Sequence, residues 1–208
     1  KVFESLYSTG ERDKYRTRLE RTATGGTEIY ISHRGMVEVY TSQAKDQTIW
    51  QPRPTDPELE VEFLRRLMLK LGANDAQVNT ALEPEAAKAN ARIATVNGQP
   101  VVQLDDGFDR AWRRVGLTLD RTGFTVEDRD RSKGTYFVRY VAPNATKVQP
   151  GFFTKLFSSD SNSPPVQYRI AVVTEGTSTT VSVLNAKGAP EASDSAKKIV
   201  QIIADDLK

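Results

Sequence analysis

Alternating polar and apolar positions predict a β-hairpin near the start of the chain. The segment 15–21, YRTRLER, alternates arginine with tyrosine, threonine and leucine, and the segment 27–34, TEIYISHR, alternates again with Ile29 and Ile31 on one face. A period of two residues is typical of a half-buried strand. The turn-forming sequence TATGG at 22–26 separates the two segments, which are therefore predicted to pair as a hairpin.

The pattern changes to a helical spacing after this hairpin. Three prolines lie in WQPRPTDPELEVEF, and either Thr55 or Asp56 can cap a helix that has Pro57 in its first position. Gly72 is predicted to end this helix. Its apolar stripe consists of Leu59 or Glu60, Phe63, Leu64, Leu67 and Leu71.

Residues 100–208 also show strand-like and helical patterns, and more of them follow one another than in residues 1–72. A strand at 101–104 precedes a helix, and two hairpins follow, the first pairing 124–130 with 135–141 and the second within 166–184. A last helix ends the segment. The apolar positions of the two helices, spaced at i, i+3/i+4 and i+7, are Phe108, Ala111, Trp112, Val115 and Leu119 in the first and Ala196, Ile199, Ile202, Ile203 and Leu207 in the second.

The start of the chain repeats a piece of its C-terminal half. KVFESLY at 1–7 matches GFFTKLF at 151–157, and after a gap of three residues Tyr15 and Arg16 match Tyr168 and Arg169. Strand-like and helix-like patterns precede the second copy and not the first. We therefore expect the same domain twice, with the first copy lacking its N-terminal part in this chain, as a fragment of a longer protein would.

These elements predict an α+β fold in which helices lie on one face of an antiparallel sheet. The expected boundaries are 1–72 for the C-terminal portion of the first domain, 73–99 for a partly helical linker and 100–208 for the second domain. The linker is predicted because its sequence is rich in Ala, Asn, Glu and Gln and has few large apolar residues.

Composition excludes several functional classes. The 29 Lys and Arg residues are balanced by 27 Asp and Glu residues, whereas nucleic-acid binders usually show a clustered basic face. No run approaches the ~20 apolar residues of a membrane-spanning helix. The chain has no cysteine, and hence no disulfide, thiol nucleophile or lipid-bearing cysteine of its own. We expect no nucleic-acid partner.

Candidate catalytic groups are sparse. The single histidine, His33, has no partners in a recognised spacing and is predicted to be an ordinary surface or turn residue. Paired carboxylates occur at Asp105 with Asp106 and at Asp128 with Asp130, but the first pair is better explained by a helix N-cap and the second by a solvated strand end. The sequence therefore predicts no enzyme, no metal site and no cofactor.

Two groups of apolar residues are candidate contact sites. The loop residues Phe152, Phe153, Leu156 and Phe157 form a short apolar turn within a polar, Ser/Pro-rich stretch. They could anchor a partner, or form a short helix that closes over the domain's own sheet. A groove between helix and sheet is predicted around Phe108 and Trp112, although Trp112 also fits a core position.

Two stretches resemble the BamC family, also called NlpB. They are SLYSTGERDKYRTRLERT…TEIYISHRGMVEVY and FDRAWRRVGLTLDRTGFTVEDRDRSKGTYFVRYV. This family comprises lipoprotein subunits of the β-barrel assembly machinery in the outer membrane of Gram-negative bacteria. The resemblance implies two helix-grip domains, each with helices packed on one face of an antiparallel sheet. It also implies a non-enzymatic accessory role in the assembly of outer-membrane proteins.

The resemblance further implies the other subunits of the assembly machinery as partners. It implies location at the outer membrane through an N-terminal lipid anchor that lies outside this chain, with the domains periplasmic or surface-exposed. The leading hypothesis is thus a subunit that acts through protein–protein interaction. The alternative is a carrier of small apolar ligands, since a helix gripped by a curved sheet can enclose a pocket.

Overall fold

The chain falls into two compact units, and the described residues of each form an antiparallel sheet and two helices. The computed structural model describes residues 10–22, 24–41, 46–82, 91–140 and 165–207. Unit 1 comprises the described residues up to position 82, and unit 2 comprises those from position 91 onward. The α+β class with antiparallel sheets is therefore confirmed, whereas the helix-grip description of each domain and the exact domain boundaries stay predictions.

Unit 1 has strand order β1-β2-β3, and β1 and β2 form the predicted hairpin. The sequence pattern does not predict β3, because Pro52 and Pro54 suggest breaks. Pro52 pairs with Met36 at the edge of the sheet, where the missing N–H of proline is tolerated. The elements are β1 (Glu11–Arg21), β2 (Thr27–Tyr40), β3 (Thr48–Arg53), α1 (Pro57–Lys70) and α2 (Asp75–Ala81).

Helix α1 begins and ends at the predicted signals. The Asp56 carboxylate accepts hydrogen bonds from the backbone N–H groups of Glu58 and Leu59, at 3.1 and 3.2 Å. At the other end Gly72 adopts a φ of 99°, and the N–H of Ala73 donates to the Met68 carbonyl at 3.0 Å. This Schellman arrangement satisfies carbonyl groups that a helix end otherwise leaves without partners.

Unit 2 has a six-stranded antiparallel sheet in the order β4-β5-β9-β8-β7-β6. The side chains of Val102, Val181 and Val172 pair across three neighbouring strands and share one core with residues of both helices. Both helices of this unit therefore pack on the same face of the sheet. The elements are β4 (Ala91–Val96), β5 (Gln99–Leu104), α3 (Phe108–Arg121), β6 (Thr125–Asp130), β7 (Thr135–Tyr140), β8 (Val166–Glu175), β9 (Ser178–Asn185) and α4 (Asp194–Asp206).

Residues 91–96 form strand β4 inside the segment 73–99, for which the sequence predicts a linker. β4 pairs with β5 along its whole length, so the sheet of unit 2 begins before residue 100. The turn between the two strands is Asn97-Gly98, with φ values of 49° and 78°. Positive φ at both positions defines a type I′ turn, whose twist suits a tight hairpin.

Candidate interaction surfaces

The predicted groove residue Trp112 lies in the core of unit 2. Its indole is wholly buried and stacks on the ring of Tyr136, with 3.9 Å between ring centroids. The Tyr136 hydroxyl donates to the Trp112 carbonyl at 2.9 Å, which satisfies both buried polar groups. The ring of Phe108 also stacks on the indole, with 5.8 Å between ring centroids, and Phe108 is only partly buried. Of the predicted pair, Phe108 alone keeps surface for a partner.

The predicted contact loop, with Phe152, Phe153, Leu156 and Phe157, lies outside the described residues.

Arg114 of α3 connects Asp106, just before this helix, to Leu207, just after α4. Asp106, nearly buried, pairs with Arg110 at 3.1 Å and with Arg114. The Arg114 guanidinium also donates to the carbonyl of Leu207, just after α4. The predicted N-cap role of Asp105 or Asp106 is therefore wrong. Gly107 occupies the N-cap position without a side-chain bond, because the Asp106 carboxylate is committed to charge-assisted bonds with two arginines.

His33 is wholly buried in unit 1, so the prediction of a surface or turn residue is wrong. Its Nε2 lies 2.8 Å from Asp13 Oδ1 on β1, and its backbone N–H donates to Glu60 Oε1 on α1 at 2.9 Å. Arg53 on β3 donates to the same Asp13 oxygen at 2.5 Å. The hydrogen bonds from His33 and then from Arg53 hold the pKa of Asp13 below its ordinary value.

This network connects all three strands of unit 1 to α1. A buried histidine that bonds a carboxylate on a neighbouring strand holds the two strands in one arrangement, because each buried polar group needs its partner. His33 presents no surface to a substrate. In the described ranges, no three histidine or carboxylate side chains converge in a way that could hold a metal ion.

Helix α1 carries apolar surface that unit 1 does not bury completely. Val61, Leu64, Met68 and Leu71 follow one another at i, i+3, i+7 and i+10, a spacing that places them along one flank of the helix. Val61 is 43% exposed and Leu71 69% exposed, while Leu64 and Met68 are half-buried. We call these four residues the α1 flank. Apolar surface that a domain leaves partly exposed can mark a site of protein contact.

An open depression of about 500 Å³ lies on unit 2 beside Arg139, Val166, Gln167 and Ala186. Arg139 pairs with Glu127 across the strands, and Gln167 donates to the same carboxylate at 2.9 Å. A carrier of apolar ligands usually encloses its ligand in a mostly apolar cavity. Pro165, Val166 and Ala186 contribute apolar surface to this depression, but it is open rather than enclosed, and it therefore gives the carrier alternative no support.

None of the helices in the described part of the chain is long and apolar enough to traverse a lipid bilayer.

Comparisons with known proteins identify the family. Residues 91–207, more than half of the 208, match the family described as the outer membrane protein assembly factor BamC-like C-terminal domain. The chain is 50% identical to proteins named outer membrane protein assembly factor BamC in Accumulibacter regalis and in Thiobacillus denitrificans. These alignments cover 100% of this chain and 56% and 58% of the respective relatives.

An uncharacterized protein of Neisseria meningitidis is 34% identical over 98% of this chain and 52% of its own length. The chain thus spans about half the length of the relatives it matches. The fold of unit 2 and the family match cover the same residues, 91–207, and include the strand that the sequence pattern missed. On this evidence the chain belongs to the BamC family.

Proposed function

We propose that this protein is a non-enzymatic accessory subunit of the machinery that assembles β-barrel proteins in the outer membrane. The observation that carries the proposal is the 50% identity, over the whole chain, to two relatives that are named outer membrane protein assembly factors. In this proposal the other subunits of the machinery are its partners. The protein resides at the outer membrane, held by an N-terminal lipid, with its domains periplasmic or surface-exposed.

The proposed mode of action is protein–protein contact rather than chemistry. Residues that resemble catalytic groups in the sequence serve the fold instead: His33 is buried and bonded to Asp13, and Asp106 joins α3 to the region just after α4 through Arg114. The α1 flank offers apolar surface of the kind that anchors interfaces. Phe108 and the loop containing Phe152 and Phe157 are further proposed contact sites.

The proposal is tested in a strain that lacks the gene for this protein. The full-length protein is expected to restore the levels of folded outer-membrane β-barrel proteins and to co-purify with the assembly machinery. The double variant Val61→Ser/Leu71→Ser is expected to fold normally and to reduce co-purification severalfold. Val173→Ser is the matched control, because Val173 is 52% exposed on a strand of unit 2.

Full-length protein that neither co-purifies with the machinery nor changes barrel assembly contradicts the proposed function. Equal co-purification of the double variant and the control excludes the α1 flank as the contact. In that case the variants Phe152→Ser and Phe157→Ser test the loop by the same measurement.

A further inference from the structure

Strand β4 forms an open edge of the six-stranded sheet. Within the described residues it pairs with β5 alone, and its other side faces no strand. Ile93 is 45% exposed and Val96 38% exposed, and Thr95 is exposed as well. An edge of this kind presents a row of backbone N–H and C=O groups with no partner in the ladder.

The turn geometry identifies which backbone groups point outward. In a two-residue hairpin the residues that flank the turn, here Val96 and Gln99, form a hydrogen-bonded pair, and the pairs then alternate along the ladder. Thr95 therefore lies in a non-bonded position opposite Pro100, which has no N–H to donate. By the same alternation, the N–H and C=O groups of Ala91, Ile93 and Thr95 point away from β5.

The other three edges of the described sheets carry features that discourage strand addition. β6 has a bulge between Val126 and Asp128 and a run of charges, β1 is rich in charged residues along its length, and β3 contains Pro52. Such bulges, charges and prolines are the usual protection of edge strands. β4 has one charged residue, Arg92, which bonds to Gln103 and Asp105 in the direction of β5. Among the described residues, nothing comparable protects its edge.

The two faces of β4 specify the kind of strand that fits. Ala91 and Ile93 pair with Leu104 and Val102, so they lie on the face that α4 covers. Ile202 of α4 packs at the margin of that core and is only partly buried. An added strand would place every second side chain against this apolar margin and the remaining side chains on the opposite face of the sheet. A strand with alternating apolar and polar residues meets both requirements.

We propose that the β4 edge binds an extended segment of an unfolded outer-membrane β-barrel protein by β-augmentation. Membrane β-strands alternate apolar and polar residues over about ten positions, and backbone pairing with a sheet edge recognises such a segment with little regard to its individual side chains. The choice of this partner rests on the proposed function. The observation that β4 is an edge strand comes from the strand pairing and does not depend on that function.

The test is binding of a fluorescein-labelled synthetic peptide of about ten residues that alternates valine or tyrosine with threonine or serine. Fluorescence anisotropy is measured with the full-length wild-type protein and with Thr95→Pro and Thr95→Val. Proline removes one outward N–H and is tolerated at an edge because it leaves the ladder with β5 intact. Valine keeps the N–H and replaces the threonine hydroxyl with a methyl group of similar volume.

Wild type and Thr95→Val are expected to bind alike, and Thr95→Pro at least about tenfold more weakly, since a pairing group is lost and a ring blocks the edge. A peptide of the same composition with its apolar residues grouped should bind weakly. Ile93→Lys, which places a charge at the edge, should also reduce binding. Circular dichroism confirms that each variant is folded.

The proposal is overturned if Thr95→Pro and Ile93→Lys bind the alternating peptide as tightly as the wild-type protein does. It is likewise overturned if the wild-type protein binds the grouped peptide as tightly as the alternating one. It is also overturned if sedimentation shows that wild type dimerises through this edge, that Thr95→Pro does not, and that the peptide fails to compete. In that case the occupant is a second copy of the chain. Peptide binding that depends on Thr95 in a protein that does not affect barrel assembly would count against the proposed function while confirming a strand-binding edge.

Discussion

At the scale of single residues, Gly134 occupies a position that a larger residue cannot enter. It lies in the turn between β6 and β7 with a φ of 60°, and its carbonyl accepts a hydrogen bond from the N–H of Val172 at 2.7 Å. A Cβ atom at this position would overlap the carbonyl oxygen of Val172. Gly176 has nearly the same φ, 61°, but a Cβ atom there would meet nothing within 4 Å.

The comparison of these two glycines separates backbone strain from steric overlap. Gly176→Ala is expected to cost about 1 kcal/mol of unfolding free energy, the usual penalty of a left-handed conformation for a residue with a Cβ. Gly134→Ala is expected to cost about 1–3 kcal/mol more because it adds an overlap with β8. Chemical denaturation of both variants measures the difference. Equal losses would contradict the overlap.

Hydrogen bonds from the turn that follows β6 lower the pKa of Asp130. Its carboxylate accepts a hydrogen bond from the Ser132 hydroxyl at 2.5 Å and one from the backbone N–H of Lys133 at 3.1 Å. The Ser132 bond, followed by the side chain of Lys133, lowers the pKa of Asp130 to about 2. Because the folded-state pKa is lowered, the contribution to stability is present above the ordinary value of 3.8 and is lost as pH falls through about 2.

Removal of the Ser132 hydroxyl should therefore raise the pKa of Asp130. Ser132→Ala is expected to move it toward the ordinary value, and Lys133→Met to move it less, since the hydroxyl bond has the larger effect. A ¹³C NMR titration of the Asp130 carboxyl group measures both. An unchanged pKa in Ser132→Ala would show that the turn does not hold the carboxylate as described.

Local sequence could not predict the burial of His33. It follows an alternating stretch and precedes Arg34 and Gly35, a context that resembles the end of a hairpin. Its burial depends on Asp13 on a different strand and on Glu60 on a helix further along the chain. By contrast, the helical spacing around Trp112 correctly indicated a core position, because Trp112 lies on the apolar stripe that Ala111, Val115 and Leu119 form on its own helix.

At the scale of elements, α3 is a helix that begins without a side-chain cap. Gly107 occupies the N-cap position in an extended conformation, and a Cβ atom there would meet nothing within 4 Å. Gly107→Ser is expected to stabilise unit 2 by about 0.5–1 kcal/mol, because serine can bond the first N–H groups of the helix and restricts the unfolded chain. Gly107→Ala restricts the unfolded chain in the same way but supplies no cap, and thermal unfolding should therefore show a smaller gain for it.

The sequence predicted most helices and hairpins but missed two strands. Asp56, Pro57 and Gly72 are strong local signals, and α1 begins and ends there. The missed strands are β3, which contains a proline, and β4, which is short and lies next to an alanine-rich stretch. The Asn97-Gly98 pair was the available signal for β4, since it is typical of a type I′ hairpin turn.

At the scale of the whole molecule, β4 determines where a stable fragment of unit 2 can start. A fragment of residues 86–208 retains the strand, whereas a fragment of residues 100–208, which starts at the predicted boundary, lacks it. Without β4, the strand β5 becomes the edge, although its residues Val101 and Val102 are almost wholly buried in the intact unit. We expect the shorter fragment to have the lower Tm and to aggregate. Circular dichroism melts and size-exclusion chromatography compare the two, and equal behaviour would contradict a structural role for β4.

The positions of the two tryptophans have a consequence for following the molecule in solution. Trp50 lies in β3 of unit 1, half-buried under the guanidinium of Arg12 at 4.0 Å, and Trp112 lies in the core of unit 2. The chain contains no other tryptophan. Replacing one of them with phenylalanine leaves a single emitter whose fluorescence reports on one unit. Stopped-flow unfolding of the two single-tryptophan proteins would therefore time the two halves of the chain separately, without an added label.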